Sequence, residues 1–198
     1  MKTILVLGDS LSDGFRLPRS QAYPALLAEK LRREGMEFDV INASASGGTT
    51  AGGLNRLPPH LRRRIDILVV QLGINDAFRG VPINNIRANL QAIIDRTRER
   101  YPACAVVILG MQLPGAGQDG YVRAFGEMYQ ELAEKNDATL LPYLLEKVGG
   151  DPSLNLPDRI HPNAAGQKVL AENVWRVLEP VARRVANDTR GAASAAVH

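Results

Sequence analysis

The stretch Thr3-Ile4-Leu5-Val6-Leu7-Gly8-Asp9-Ser10-Leu11-Ser12 decides the reading of the fold. Thr3 to Leu7 is an unbroken, mostly apolar run rich in branched residues, with none of the alternation of a half-exposed strand. Such a run suits a strand covered on both faces, and Gly8 stops it. The residues just past a strand of this kind lie at the carboxyl edge of the sheet, where open α/β folds bind their ligands. Asp9, Ser10 and Ser12 therefore stand where chemistry is to be looked for.

Working outward, strands and helices alternate. Tyr23, Leu26, Leu27 and Leu31 recur at helical spacing, with Gly35 as the stop. Phe38 to Ile41 reads as a second strand. Ala51 to Arg64 reads as helical in part, with Pro58-Pro59 expected to break or restart it. Ile65 to Leu72 is the third strand, and Ile83, Ile86, Leu90, Ile93, Ile94 and Thr97 mark an amphipathic helix. Ala105 to Leu109 is the fourth strand; Tyr121, Val122, Phe125, Met128, Tyr129 and Leu132 mark the next helix. Thr139 to Leu141 is a short fifth strand. A last helix is expected from Pro162, with Leu170, Val174, Val177, Leu178, Val181 and Val185 on one face. The pattern predicts a three-layer α/β/α sandwich with a five-stranded parallel sheet, of flavodoxin-like size. Residues 1–186 read as one domain, and the small, Ala-rich stretch 187–198 as a loose tail.

Composition excludes several classes of function. The 198 residues carry a formal net charge of only +3, a weak basis for nucleic-acid binding, so no nucleic-acid partner is expected. The Arg62-Arg63-Arg64 cluster reads as a solvated helix end. Cys104 is the one cysteine, so neither an internal disulfide nor a cysteine-based zinc cluster can form, and its apolar run marks it as a buried small hydrophobe. No stretch is long and apolar enough for stable membrane insertion. Met1-Lys2 leads straight into a strand pattern, so the sequence as it stands reads as cytoplasmic, or as periplasmic or secreted if an export signal was removed. Oligomeric state is not legible.

A hydroxyl becomes a useful nucleophile only when a base takes its proton, and that base is most often histidine. The chain has three. His198 ends the tail, and His60 follows Pro58-Pro59 on a polar, Arg-rich segment that reads as surface. His161 alone has a carboxylate three residues earlier, in a turn entering a helix. Asp158 reads equally as a carboxylate aimed at that imidazole or as a helix-initiating turn residue. Gly47, after the second strand, offers a backbone N–H that a ligand can approach closely; Asn75, after the third, offers a side-chain amide. Either could be an ordinary turn residue. All of them in the right order at one sheet edge, beside Ser10, fit an acyl-transfer site with its oxyanion donors.

At this point the sequence resembles the GDSL/SGNH hydrolases. Gly8-Asp9-Ser10-Leu11 matches the motif that names the family. Ser10, Gly47, Asn75 and His161 match its four signature residues, and Asp158-x-x-His161 matches its last block. Asn42-Ala43-Ser44, Leu54-x-Arg56-Leu57-Pro58 and Leu113-Pro114 extend the likeness toward the small bacterial arylesterases and thioesterase/lysophospholipases. The resemblance implies an SGNH hydrolase fold, with Ser10 as nucleophile, His161 as general base and Asp158 orienting it. It also implies an oxyanion hole from the N–H of Ser10, the N–H of Gly47 and the amide of Asn75. Asp9 and Asp76 become scaffolding, and no cofactor or metal is implied. Gly48 stands where many relatives have an acidic or amide residue.

Gly115-x-Gly117-x-x-Gly120 imitates a dinucleotide fingerprint, but it is separated from its strand and follows the wrong one, so it reads as a rim loop. The two long connections at the site edge are expected to be Ala77 to Pro82 and Met111 to Tyr121. They offer Phe78, Val81, Leu113 and Tyr121 as an apolar substrate wall, stiffened by Pro114. The expected function is a serine esterase for short- to medium-chain acyl esters of aryl or simple alcohols, extending to thioesters and lysophospholipids. The alternatives are a carbohydrate acetyl esterase of the same superfamily and, more distantly, a non-catalytic flavodoxin-like binding module.

Overall fold

Five strands form one parallel sheet in the order β2-β1-β3-β4-β5. They are β1 (Lys2–Gly8), β2 (Phe38–Asn42), β3 (Ile67–Gln71), β4 (Ala105–Leu109) and β5 (Thr139–Leu141). This computed structural model describes residues 1–114 and 120–195. Central β1 and β3 are buried along nearly their whole length, as their unbroken apolar runs require. Ile4 stands opposite Val40 on one side and Ile67 on the other. At the edge, β2 is half-buried throughout, which suits its mixed sequence of Phe38, Asp39 and Val40.

Helices cover both faces. Helices α2 (Tyr23–Arg33) and α7 (Ala164–Ala195) pack together on one side. Helices α3 (Thr50–His60), α5 (Ile83–Arg100) and α6 (Gly120–Lys135) line up on the other. Two short helices, α1 (Ser10–Asp13) and α4 (Ile74–Phe78), follow β1 and β3 directly. From β1 the chain moves first to β2 on one side, then back across to β3 on the other. The carboxyl end of β1 is thus the switch point of the sheet, and Ser10 begins there.

Some sequence expectations shift. Helix α3 keeps Pro58 and Pro59 inside it, because they fall in its last turn and the helix needs to survive only as far as His60. Pro162 does not open α7. Its backbone pairs with Asn155, and Asn163 caps the helix by accepting from the N–H groups of Ala165 (2.9 Å) and Gly166 (3.0 Å). The stretch from residue 187, read as a loose tail, continues as helix α7 as far as Ala195. Cys104 is buried at 4% exposure, and burial pushes its thiol up to about 12. Arg62, Arg63 and Arg64 are exposed, with Arg63 paired to Asp39 and Arg64 to Asp66. The glycine-rich segment at residues 115–119 lies outside the described residues.

Gly166 is fixed by close approach. A Cβ there would lie 2.1 Å from the Leu154 carbonyl oxygen and 2.9 Å from the Pro162 side chain. That carbonyl also accepts from Asn163 N, so it cannot yield without disturbing the start of α7. Gly166→Ala is expected to destabilise the fold by about 1–3 kcal/mol, the usual range for overpacking a tight contact. Thermal unfolding checks this; an unchanged Tm contradicts the packing.

Candidate active site

The turn that presents Ser10 is built from buried polar groups. Strand β1 must end in glycine, since a Cβ on Gly8 would come within 2.4 Å of the Ser12 hydroxyl. Asp9 caps α1 through its Oδ1, which accepts from Leu11 N at 3.0 Å. Ser10 is the first residue of that helix, so its N–H has no partner within the helix. Gly14, at φ +80°, closes α1, and both Gly14 N and Phe15 N donate to the Ser10 carbonyl at 3.1 Å.

The partner arrives from the far end of the chain. Asp158 Oδ1 accepts from the N–H groups of Ile160 (2.9 Å) and His161 (3.0 Å), and its Oδ2 lies 2.8 Å from His161 Nδ1. The two backbone N–H groups, and after them the imidazole, hold the Asp158 carboxyl down at about 2. A carboxylate only accepts, so Nδ1 of His161 carries the ring proton and Nε2 is left to accept. Nε2 lies 3.0 Å from Ser10 Oγ. Asp158 does both things the sequence left open: it shapes the turn and it holds the imidazole.

Sequence reasoning missed Phe15. Its ring lies against His161, with centroids 4.3 Å apart and planes 35° apart. The Arg16 guanidinium sits 5.1 Å from the Phe15 centroid. No periodicity could have pointed to Phe15. It reaches the histidine only because Gly14 reverses the chain straight after α1.

Asn75 and Gly47 also come to this edge. Asn75 Nδ2 donates to the Gly48 carbonyl at 3.0 Å, tying α4 to the Gly47-Gly48 loop. Arg79 Nη2 donates to Gly47 O at 3.3 Å, and Gly47 itself is exposed at φ +73°. The residue type at Gly48 has a steric cause. A Cβ there would lie 2.8 Å from Ala45 O and 3.1 Å from Arg56 Nη2, and that same Nη2 donates to Gly8 O at 3.0 Å. The Arg56 guanidinium fills the space a side chain would need.

Asp9 and Asp76 are both buried and serve the scaffold. Asp76 accepts from Thr50 N (2.8 Å) and Thr50 Oγ1 (2.6 Å), fastening α4 to the start of α3. Among the described residues no group of three or more His, Cys, Asp or Glu gathers to hold a metal ion.

Ser10, Asn75 and His161 line one open cleft of about 710 Å³. Its walls include Phe78, Leu113 and Pro114, and also Ile160, Tyr143 and Leu145. The last three come from the long β5–α7 connection, which the sequence reading did not count among the long rim segments. Val81 does not line the cleft. It packs against the core, and its carbonyl accepts from the Tyr121 hydroxyl at 2.7 Å. Tyr121 is likewise no part of the wall. His60, expected at the surface, is half-buried and is not among the residues lining this cleft.

Comparison with known proteins agrees with this geometry. Residues 6–169 match the GDSL-like lipase/acylhydrolase family, and the chain belongs to that family. It is 40% identical to esterase TesA of Pseudomonas aeruginosa over 181 residues, which is 91% of this chain and 89% of that protein. It is 37% identical to an arylesterase of Vibrio mimicus, covering 88% of this chain and 87% of the relative. It is 36% identical to thioesterase 1/protease 1/lysophospholipase L1 of Escherichia coli K12, covering 90% and 84%. A crystal structure of TesA superposes with a TM-score of 0.85 at 40% identity, covering 91% of this chain and 99% of that one. The protein is a carboxylic ester hydrolase, and the fold and family expected from its motifs hold.

The buried Asp9 carboxyl yields a stability prediction. Burial, the largest cause, raises it from 3.8 to about 7. Its folded-state value lies above the unfolded one, so folding favours the protonated form. The associated stability is complete below the unfolded value and is lost as pH rises toward 7. Asp9→Asn keeps an acceptor for Leu11 N and has no proton to lose. Between about pH 5 and about pH 8, the wild-type Tm is expected to fall relative to that of Asp9→Asn. Parallel melting curves across this range would contradict the assignment.

Proposed function

We propose that Ser10, His161 and Asp158 carry out acyl transfer as nucleophile, general base and orienting carboxylate. The supporting observation is the continuous chain from Ser10 Oγ to His161 Nε2 at 3.0 Å and from His161 Nδ1 to Asp158 Oδ2 at 2.8 Å. His161 takes the Ser10 proton as the oxygen attacks the acyl carbon. The carbonyl oxygen becomes an oxyanion, held by the N–H of Ser10, the N–H of Gly47 and the second hydrogen of the Asn75 amide. Collapse expels the alcohol or thiol, which leaves with the proton from Nε2. Water, deprotonated by the same nitrogen, then cleaves the acyl-enzyme and restores Ser10.

The substrates are short- to medium-chain acyl esters of aryl or simple alcohols. Apolar walls at Phe78, Leu113 and Ile160 favour hydrocarbon over the dense polar contacts a sugar would need. The names of the relatives include arylesterase, thioesterase and lysophospholipase, which supports extending the range to thioesters and lysophospholipids.

Three experiments test the reading. Ser10→Ala or His161→Ala is expected to lower kcat by about 10⁴-fold or more while the fold melts normally. A folded Ser10→Ala enzyme with a tenth of the original rate overturns the assignment. Asn75→Ala is expected to lower kcat by about 10²–10³-fold with little change in KM, as loss of one oxyanion donor does. A change in KM alone would make Asn75 a binding residue. Along a p-nitrophenyl ester series, kcat/KM is expected to rise by up to about fourfold per methylene and then level off as the chain outgrows the cleft.

A further inference from the structure

Arg159 stands out in the cleft on three counts. It is the only residue lining it, among the described residues, that carries a permanent charge. It is exposed, and its guanidinium makes no ion pair or hydrogen bond with any described residue. Its backbone sits at φ +59°, in the left-handed region that residues other than glycine seldom occupy. The turn forces that conformation. Arg159 N donates to Leu156 O at 2.8 Å, while Asp158 Oδ1 gathers the next two N–H groups. A bulky, unpaired arginine at a position suited to glycine contributes nothing visible to the fold. Departures of this kind cluster where a side chain serves a site.

The chemistry fixes which part of a substrate Arg159 would meet. The departing oxygen or sulfur must come within hydrogen-bond reach of His161 Nε2 to collect its proton. Whatever is attached to that atom therefore runs out past the turn that carries His161, and Arg159 lies two residues earlier on that turn. No carboxylate lines the cleft among the described residues to compete for the guanidinium. A guanidinium presents paired donors that match phosphate and carboxylate oxygens.

Building on the acyl-transfer reading above, we infer that Arg159 is a specificity-determining residue that selects esters and thioesters whose leaving group bears an anionic phosphate or carboxylate. The acyl chain lies along the apolar walls, and the anion on the alcohol or thiol pairs with the guanidinium at the mouth.

Matched substrate pairs with one acyl group test this. The pairs are 4-butyryloxybenzoate against 4-butyryloxybenzamide, butyryl glycerol phosphate against glycerol monobutyrate, and butyryl phosphopantetheine against the butyryl thioester of N-acetylcysteamine. The readout is the ratio of kcat/KM, anionic over neutral, within each pair. For the wild type it is expected to exceed one by about fivefold at low ionic strength and to shrink as salt screens the exposed pair. Arg159→Gln and Arg159→Gly should bring it to near one, Arg159→Lys should retain part of it, and Arg159→Glu should invert it. Arg159→Gly suits the turn, and fluorophosphonate labelling of Ser10 reports that its site is intact. The glycerol and thioester pairs separate a lipid-type phosphate from a thiol-borne one. A ratio of one in the wild type, or one unmoved in Arg159→Gln and Arg159→Gly, overturns the inference while esterase activity stands. If no ester in any pair is cleaved, the acyl-transfer reading itself fails.

Discussion

The turn from Gly8 to Ser12 is buried, so its backbone must find hydrogen-bond partners within the protein rather than in water. That requirement organises the molecule. The Gly8 carbonyl accepts from Arg56 of α3 and from Ala45 N after β2. The Leu11 carbonyl accepts from Gln167 of α7, and the Ser12 carbonyl from Asn42 of β2. Gln71 at the end of β3 receives Asp9 N and the Ser12 hydroxyl, and the Ser12 oxygen lies 2.6 Å from the Tyr23 hydroxyl of α2. Elements on both faces of the sheet thus send a polar side chain to one turn. Ser10 gains a fixed position because its neighbours have no freedom.

His161 is held by a different principle. Asp158, Arg159 and Ile160 are exposed, and their turn cannot rely on burial. It is shaped by its own hydrogen bonds, with one carboxylate oxygen taking two backbone N–H groups and the other taking the imidazole. Asp158 is spread over several donors and stays anionic, which keeps the proton on Nδ1 and the lone pair on Nε2. Phe15 completes the arrangement from the other side. It is hydrogen-bonded to the Ser10 carbonyl and lies against His161, so Ser10 and His161 are linked through a second route.

Two buried acids show how scaffold and chemistry divide. Asp76 joins α4 to α3 and so sets where Asn75 meets the Gly47-Gly48 loop. Asp9 caps α1 while lying wholly out of solvent, and burial raises its carboxyl to about 7. Neither makes a hydrogen bond to the Ser10 or His161 side chain, yet each fixes an element that carries a residue of the site.

Local pattern alone determined the parallel α/β architecture, because runs such as Thr3 to Leu7 and Ile67 to Gln71 are apolar on both faces and only a doubly covered strand accommodates them. It also placed Ser10, Gly47, Asn75 and the Asp158–His161 pair, since each lies within a short motif at a strand or helix end. The family resemblance implied roles that spacing could not. Contacts between distant segments were decided only by the tertiary structure. Phe15 on His161, Arg56 on the Gly8 carbonyl, and the β5–α7 connection forming a cleft wall all join residues far apart in the chain. Val81 turned away from the cleft for the same reason: hydropathy marks a residue for burial but cannot say against which surface. The left-handed backbone at Arg159 is likewise invisible in composition, because it arises from the carboxylate of Asp158 drawing two successive N–H groups onto one oxygen.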